Sequence, residues 1–182
     1  MKRFLPLLII IIVVLCFFRM FLFRGLLPIP ADVMVGLYHP YYDFYGKDFP
    51  RGVPFKNVLL TDTTTQQYPW RFLAVDQMKQ SKLPLWNPYT ALGMPLSANQ
   101  QSAAFYPLNI LFVFMPFALS WSVLIVLSMI LGGFFMYWYL RNFRLHQLAA
   151  ILGGITFAFS GFAVAWMEWG TILQTGLWYT QV

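Results

Sequence analysis

Charged residues are scarce in this chain, and their scarcity limits the class of protein it can be. Asp, Glu, Lys and Arg make up 10% of its 182 residues, whereas soluble domains carry about 25%. No charge occurs between Lys82 and Arg141. Together with 59% hydrophobic residues, this composition predicts an integral membrane protein and argues against an ordinary soluble domain.

Cysteine and histidine are also rare. The single Cys16 cannot form an intramolecular disulfide, so any folded loop must be held by packing. His39 and His146 fall on opposite sides of the topology predicted below, and they therefore cannot share a metal ion. The sequence contains no Cys/His cluster, no glycine-rich phosphate cradle and no nucleophile elbow.

Apolar runs predict three membrane-spanning helices. Residues 1–24 form the first, because the run is long enough to cross a bilayer and no small-residue cleavage site of a secretory signal peptide follows it. Residues 108–140 contain a short re-entrant or interfacial piece that ends at Pro116, followed by the second span. Residues 148–169 form the third, in which Gly153-Gly154 and Ser160-Gly161 are expected to provide a small-residue surface for close helix contact. The predicted fold class is therefore an all-α integral membrane protein.

Basic residues orient these helices. They flank the first apolar run, and Arg141 and Arg144 follow the second, which places the N-terminus and the turn at residues 141–147 on the cytoplasmic side. The loop at residues 25–107 is then outside, and the localisation is the cytoplasmic (inner) membrane. This arrangement explains the net charge of +6 better than nucleic-acid binding does. Residues 170–182 form a tail that lacks the apolar pattern of a further helix.

The outer loop is too long to be structureless in a compact protein, so we expect it to be folded. Helical periodicity extends from Gln66 or Pro69 to about Gln80, with Pro69 suited to a first turn. A second short helix is predicted at residues 97–105. Both helices are expected to lie flat at the membrane surface, with aromatic side chains at the headgroup boundary.

The stretch from Asp62 to Asn109 resembles a known family. It begins D-T-T-T-Q-Q-Y-P-W-R and ends L-P-L-W-N-P-Y-T-A-L-G-M-P-L-S-A-N-Q-Q-S-A-A-F-Y-P-L-N. This pattern resembles the bacterial YfhO family of polytopic membrane proteins, which is similar to the GT-C superfamily of lipid-linked-sugar glycosyltransferases. The resemblance covers about residues 32–176. Members of that family are several times longer, so we expect this chain to be an N-terminal fragment that is inactive alone.

The resemblance implies a reaction and a set of partners. The implied activity is transfer of a sugar from a polyprenyl-phosphate donor to an envelope or secreted acceptor at the outer face of the membrane. Membrane lipid, the donor and the acceptor are the implied partners, and nucleic acid is not one. The alternative is a non-catalytic membrane module, such as a transporter or an assembly subunit, in which the aromatic loop is a lid or a docking surface.

Asp62 is the candidate catalytic residue. The resemblance implies a carboxylate in the first external loop, and Asp62 matches by position; such a group accepts the hydroxyl proton or holds a divalent metal ion. Its threonine-rich surroundings equally allow a helix-capping role. Asp32 and Glu168 are candidate second acids, with a turn and an interfacial position as their respective alternatives. A divalent metal is the one cofactor considered, and its ligands are unknown.

Side chains of the same loop form a candidate substrate-binding set. Arg71 would contact a lipid phosphate or simply anionic headgroups. The amides would bind the sugar or the loop's own backbone, and the backbone role is expected for Asn87. The tryptophans would stack on the sugar or anchor the loop at the interface. The set consists of Gln66, Gln67, Trp70, Arg71, Trp86, Asn87, Asn99 and Gln100.

Overall fold

The structure, a computed structural model, describes residues 4–53 and 58–170. This part of the chain is mostly helical, as predicted, with one short hairpin that the all-α expectation did not include. The chain divides into two compact units: residues 1–28 with 118–182, here called the apolar unit, and residues 29–117, called the loop unit. Most of the predicted tail at residues 170–182 lies outside the described residues.

The elements are numbered in chain order. The α-helices are α1 (Leu5–Phe17), α2 (Arg19–Arg24), α3 (Asp32–Leu37), α4 (Tyr41–Tyr45), α5 (Tyr68–Lys79), α6 (Leu111–Phe114), α7 (Phe117–Asn142), α8 (Gln147–Ala158) and α9 (Gly161–Trp166). The strands are β1 (Trp86–Asn87) and β2 (Met94–Pro95). Tighter 3₁₀ turns lie at Gly46–Asp48, Val58–Leu60, Gln100–Ser102, Pro107–Ile110 and Met167–Trp169, and a wider π-helical turn lies at Thr63–Gln67.

The second predicted span is a continuous helix, α7. Its start is set by Pro116: the residue before a proline avoids helical geometry, and Met115 is extended, with φ −129° and ψ 157°. The re-entrant or interfacial piece predicted before Pro116 is the 3₁₀ turn at Pro107–Ile110 followed by α6. Pro116 thus separates α6 from α7.

The other two predicted spans are interrupted. Residues 1–24 were expected to form one helix, but α1 ends at Phe17 and α2 begins at Arg19. The break lies where the Phe17 ring contacts both Phe18 and Phe159, at centroid distances of 5.1 and 5.3 Å. Within the third predicted span, α8 ends at Ala158, and Ser160 starts α9 because its Oγ accepts a hydrogen bond from the N–H of Ala163 at 3.3 Å.

Among the described residues, two helical stretches are long and apolar enough to cross a membrane, at Phe117–Asn142 and Gln147–Trp169. Length and composition alone support this statement. The first apolar helix, α1, has 13 residues, which is shorter than the roughly 20 that a spanning helix needs. The structure thus supports two of the three predicted spans at this coarse level.

Small residues bring helices of the apolar unit into close contact. A Cβ added to Gly154 of α8 would lie 2.5 Å from the backbone oxygen of Gly133 in α7, and one added to Gly133 would lie 3.0 Å from a methyl carbon of Ile10 in α1. Such approaches require glycine, as the sequence predicted for Gly154. The same expectation for Gly161 was wrong, because nothing lies within 4 Å of a Cβ added there.

In the loop unit, α5 continues a helical segment that starts at Thr61, earlier than predicted. The proline ring of Pro69 cannot donate a hydrogen bond and crowds the carbonyl four residues before it. The wider π-helical turn at Thr63–Gln67 lies directly before this proline and accommodates it. The hydroxyls of Thr64 and Thr65 donate to the carbonyl of Thr61 at 3.1 and 2.8 Å, which adds support where the helix is irregular.

The second helix predicted in the loop, at residues 97–105, is a single 3₁₀ turn, Gln100–Ser102. The Asn99 side chain caps its start by accepting from the N–H of Gln101 at 3.2 Å. Ala103 ends it with left-handed backbone, φ +48°. The segment packs on α5 through a cluster in which Ala74, Leu96 and Ala104 are buried.

We predict that Gly154→Ala lowers the free energy of unfolding in detergent by about 1–3 kcal/mol, because a methyl group placed against the Gly133 carbonyl overpacks the helix contact. Gly161→Ala is the matched control and should change stability by less than about 0.5 kcal/mol. Denaturant unfolding followed by circular dichroism measures both. Equal effects of the two substitutions would contradict the close packing of α7 and α8.

Candidate functional site

Asp62 lies in the first turn of the helical segment that leads into α5. Its backbone is helical (φ −60°, ψ −31°), and its side chain makes no capping hydrogen bond. The carboxylate is exposed, and its Oδ1 accepts a hydrogen bond from Nε2 of Gln66, one helical turn later, at 3.1 Å. Among the described residues it has no other hydrogen-bond partner. The capping alternative is therefore not what the structure shows, and the carboxylate is accessible to a ligand.

Arg71 occupies a different environment from the one expected. Its side chain is 0% exposed, so the guanidinium does not reach the surface where a lipid phosphate would lie. Nε donates to the carbonyl of Ser102 at 3.5 Å, and the guanidinium carbon lies 6.0 Å from the centre of the Phe112 ring. Arg71 therefore joins α5 to two distant parts of the loop unit.

Burial changes the proton affinity of Arg71. Loss of hydration on burial lowers the pKa of Arg71 to about 9, and the nearby Tyr106 acts in the opposite direction. A value above neutral pH keeps the guanidinium charged under physiological conditions. The buried charge is thus a cost to the fold that its hydrogen bonding and packing must offset.

Ser102 receives the Arg71 contact and was not singled out in the sequence. It is fully buried, and its Oγ donates to the carbonyl of Asn99 at 2.7 Å and lies 3.3 Å from that of Leu96. The N–H of Ala104 donates to the same hydroxyl at 3.3 Å. One small hydroxyl thus holds the turn whose carbonyl accepts from Arg71.

The predicted amides serve several purposes. Asn87 is buried and bonds within its own turn: its Oδ1 accepts from the N–H of Tyr89 at 2.9 Å and its Nδ2 donates to Oγ1 of Thr90 at 2.8 Å. This confirms the local role expected for Asn87. Asn99 caps the 3₁₀ turn described above, and Gln66 bonds Asp62. Gln67 is buried, whereas Gln100 is exposed and accessible to a ligand.

The two predicted tryptophans also differ. Trp70 is partly buried against the Ala74, Leu96 and Ala104 cluster. Trp86 is half exposed, and its ring covers Gly93, where an added Cβ would lie 2.6 Å from the ring. Its carbonyl accepts from Nε2 of Gln77 at 2.8 Å, which fastens β1 to α5. Of the two rings, Trp86 is the one that remains accessible for stacking on a ligand.

The candidate second acids lie in different units. Asp32 begins α3 in the loop unit and is partly buried. Glu168 belongs to the apolar unit, in a 3₁₀ turn between Trp166 and Trp169, whose rings stack at 4.3 Å. Residues 4–53 and 58–170 contain no group of three or more His, Cys, Asp or Glu side chains able to hold a metal ion. A second acid beside Asp62 stays a prediction.

A groove of about 300 Å³ lies between α5 and the segment that follows the 3₁₀ turn. Val75 and Met78 line one side, and apolar side chains of residues 104–113 line the other. Asn109 is its polar wall. The amide nitrogen of Asn109 donates to the carbonyls of Ala103 and Ala104 at 2.6 and 3.2 Å, while its buried Oδ1 has no hydrogen-bond partner within residues 4–53 and 58–170. Mostly apolar lining with one polar group is typical of small-molecule sites.

No family model, no curated protein and no solved structure matches this chain. The resemblance to the YfhO family therefore stays a prediction from the motif between Asp62 and Asn109.

We predict that Arg71→Ala lowers the free energy of unfolding by about 2–5 kcal/mol, because it leaves a cavity and removes the donor to the Ser102 carbonyl. Arg71→Met keeps most of the volume without the buried charge and should cost less than about 1.5 kcal/mol. Denaturant unfolding of the two variants measures the difference. If Arg71→Ala lowers the free energy of unfolding as little as Arg71→Met does, the packing of the Arg71 side chain does not hold the loop unit together.

The lowered pKa of Arg71 adds a pH dependence with a definite sign. The unfolded arginine, with its ordinary pKa, keeps its proton to much higher pH than the folded arginine, whose pKa is lowered to about 9. Above about pH 9 the unfolded state therefore binds more protons, and stability contributed by this group rises with pH. The free energy of unfolding of the wild-type protein should therefore rise relative to that of Arg71→Met between pH 8 and pH 10. Parallel denaturant titrations of the two proteins measure this difference. A difference that stays constant over that interval would contradict the burial of the charge.

Proposed function

We propose that this chain is part of a membrane glycosyltransferase-like protein of the YfhO type. It would act at the outer face of the cytoplasmic membrane and transfer a sugar from a polyprenyl-phosphate donor to an envelope or secreted acceptor. The observation that carries the proposal is the exposed carboxylate of Asp62, held by a single amide hydrogen bond within the motif on which the family resemblance rests.

In this reaction the acceptor hydroxyl attacks the anomeric carbon of the sugar. The proton of that hydroxyl passes to the Asp62 carboxylate, a bond forms between the acceptor oxygen and the anomeric carbon, and the bond from that carbon to the lipid phosphate oxygen breaks. Gln66 orients the carboxylate through its hydrogen bond to Oδ1. The second oxygen, which has no partner among the described residues, is the one available to accept the proton.

Stabilisation of the departing phosphate requires accessible positive charge. Arg71 is buried and does not supply it in this structure. Lys82 is exposed just after the end of α5, and we assign the contact to the lipid phosphate to it. The accessible face of Trp86 and the amide of Gln100 are the remaining side chains of the candidate set that can contact a sugar directly.

A second candidate function is a non-catalytic membrane module in which the loop unit is a lid or docking surface. The observation that favours it is the large number of exposed apolar side chains on this unit, including Tyr89, Leu92 and Phe114. In that case Asp62 would only stabilise its helix through the contact with Gln66. Removal of the Asp62 charge therefore distinguishes the two functions, because only the first requires it for sugar transfer.

Asp76 provides a matched control for Asp62. Both carboxylates are exposed, and each accepts a hydrogen bond from a glutamine four residues later, Asp76 from Gln80 at 2.8 Å. We predict that Asp62→Asn in the full-length protein lowers the rate of sugar transfer by about 10²–10⁴-fold, because the proton acceptor is lost. Asp76→Asn should leave the rate within about twofold, since a surface charge outside the site contributes little.

Transfer of radiolabelled sugar in membranes that contain equal amounts of each variant measures both rates. Equal activity of the Asp62 and Asp76 variants would remove Asp62 from the reaction and favour the non-catalytic alternative.

A further inference from the structure

The hairpin formed by β1, β2 and the residues that join them, 88–93, is a rigid projection of the loop unit. The strands pair antiparallel, with Trp86 opposite Pro95 and Asn87 opposite Met94. Within the connection, Asn87 bonds the backbone N–H of Tyr89 and the hydroxyl of Thr90 as described above, and the N–H of Gly93 donates to the carbonyl of Thr90 at 2.8 Å. Residues 88–93 are called the hairpin tip below.

Two backbone features restrict the conformation of the tip where it leads into β2. Gly93 has φ +100°, a conformation that favours glycine, and the Trp86 ring lies directly against it. Ala91 also has positive φ, at +51°, which is uncommon for a residue with a side chain. A turn held by so many local contacts presents its side chains in a fixed arrangement, so a partner can bind it without first ordering it.

The side chains that this rigid tip presents are large and apolar. Leu92 is 102% exposed and Tyr89 is 83% exposed, and Leu85, just before β1, and Trp86, within it, are about half exposed. Each such side chain leaves apolar surface in contact with water, which is unfavourable relative to burial. Adjacent exposed apolar residues mark a surface that binds something.

The distribution of charge in the loop unit indicates what the tip binds. Every ionisable Asp, Glu, Lys or Arg of residues 29–117 lies before residue 83, and none follows Lys82 until Arg141. The tip therefore presents leucine, tyrosine and tryptophan side chains to a partner, and no charged residue follows them in the sequence until Arg141. A protein partner is normally met by a polar rim around the apolar centre, whereas the hydrocarbon of a bilayer excludes charge and accepts leucine.

The kinds of aromatic residue in the tip and its unpaired backbone groups limit how deeply it can enter a bilayer. Tyrosine and tryptophan concentrate at the boundary between headgroups and acyl chains, where the ring is apolar and the polar end is hydrated. A two-stranded hairpin leaves edge N–H and C=O groups unpaired, and such groups cannot enter the hydrocarbon centre. The tip is thus suited to shallow contact, with Leu92 among the upper acyl chains and Tyr89 and Trp86 at the headgroups.

We infer that the hairpin tip inserts into the surface of a lipid bilayer and anchors the loop unit to it through Leu92, Tyr89 and Trp86. This inference rests on the membrane location in the proposed function, but it does not depend on sugar transfer. It assigns to the hairpin a partner and a depth that the proposed reaction does not specify.

The test places one fluorescent label at a time on the full chain in vesicles of phosphatidylcholine and phosphatidylglycerol. Cys16→Ser removes the native thiol, and Leu92→Cys then carries an environment-sensitive nitrobenzoxadiazole label; full exposure of Leu92 makes this substitution compatible with the fold. Lys79→Cys is the control in the charged part of the loop unit, and Leu152→Cys is the control on the exposed side of α8. Lipids with a spin label on the upper acyl chain quench any fluorophore that lies near them.

We expect the label at position 92 to be quenched about twofold more strongly than the label at position 79, because only the former enters the acyl region. The label at position 152 should be quenched as well if α8 crosses the bilayer. Quenching at 152 but not at 92 overturns the insertion of the tip and leaves the membrane location intact. Quenching at neither position overturns both, and equal quenching at 79 and 92 overturns the specific role of the tip.

Discussion

The loop unit is organised around the buried side chain of Arg71, whose Nε donates to the carbonyl of Ser102. Thirty-one positions separate the two residues in the sequence, and the chain has one cysteine, so no intramolecular disulfide can join these segments. Burying a charged group is costly, and the lowered pKa of Arg71 is one expression of that cost. The contact is therefore stabilising only while the surrounding hydrogen bonds and the Phe112 ring remain in place.

Several candidate ligand-binding groups of the loop unit lie on or next to the helix that makes this contact. The contact holds α5 against the segment around Ser102, and α5 in turn positions Asp62 before its first turn. Gln77, further along the same helix, bonds the Trp86 carbonyl and so fastens the hairpin. An exposed carboxylate and a rigid apolar hairpin are thus presented from one helix, and the helix is fixed by a buried arginine that takes no direct part at the surface.

Features determined by local chemistry could be predicted from the sequence. The extended residue before Pro116, the long apolar helix after it, and the turn made by Asn87 each follow from a few neighbouring residues. The helix over α5 was also predicted, although its start was placed too late because a π-helical turn can accommodate Pro69. Gly154 was expected to allow close helix contact, and the carbonyl of Gly133 lies against it.

Features that depend on distant contacts could not be predicted in this way. From the sequence, Arg71 was expected to lie at the membrane interface. Its burial arises from packing against Ser102 and Phe112, which are far along the chain. The break at Phe18 lies beside a ring from α8's C-terminal end, Phe159. The hairpin was missed because its strands have two residues each and β2 contains a proline, so that no alternation of apolar and polar residues marks them.

The central claim is that a folded segment presents Asp62 on the outer side of a membrane. It is tested most directly by labelling intact cells with a membrane-impermeant maleimide, using the Cys16→Ser chain with a single cysteine in place of exposed Gln101 in the loop unit or exposed Phe143 after α7. The account predicts that position 101 is labelled in intact cells and that position 143 is labelled only after the membrane is permeabilised. The reverse pattern, or labelling of both positions without permeabilisation, would contradict it.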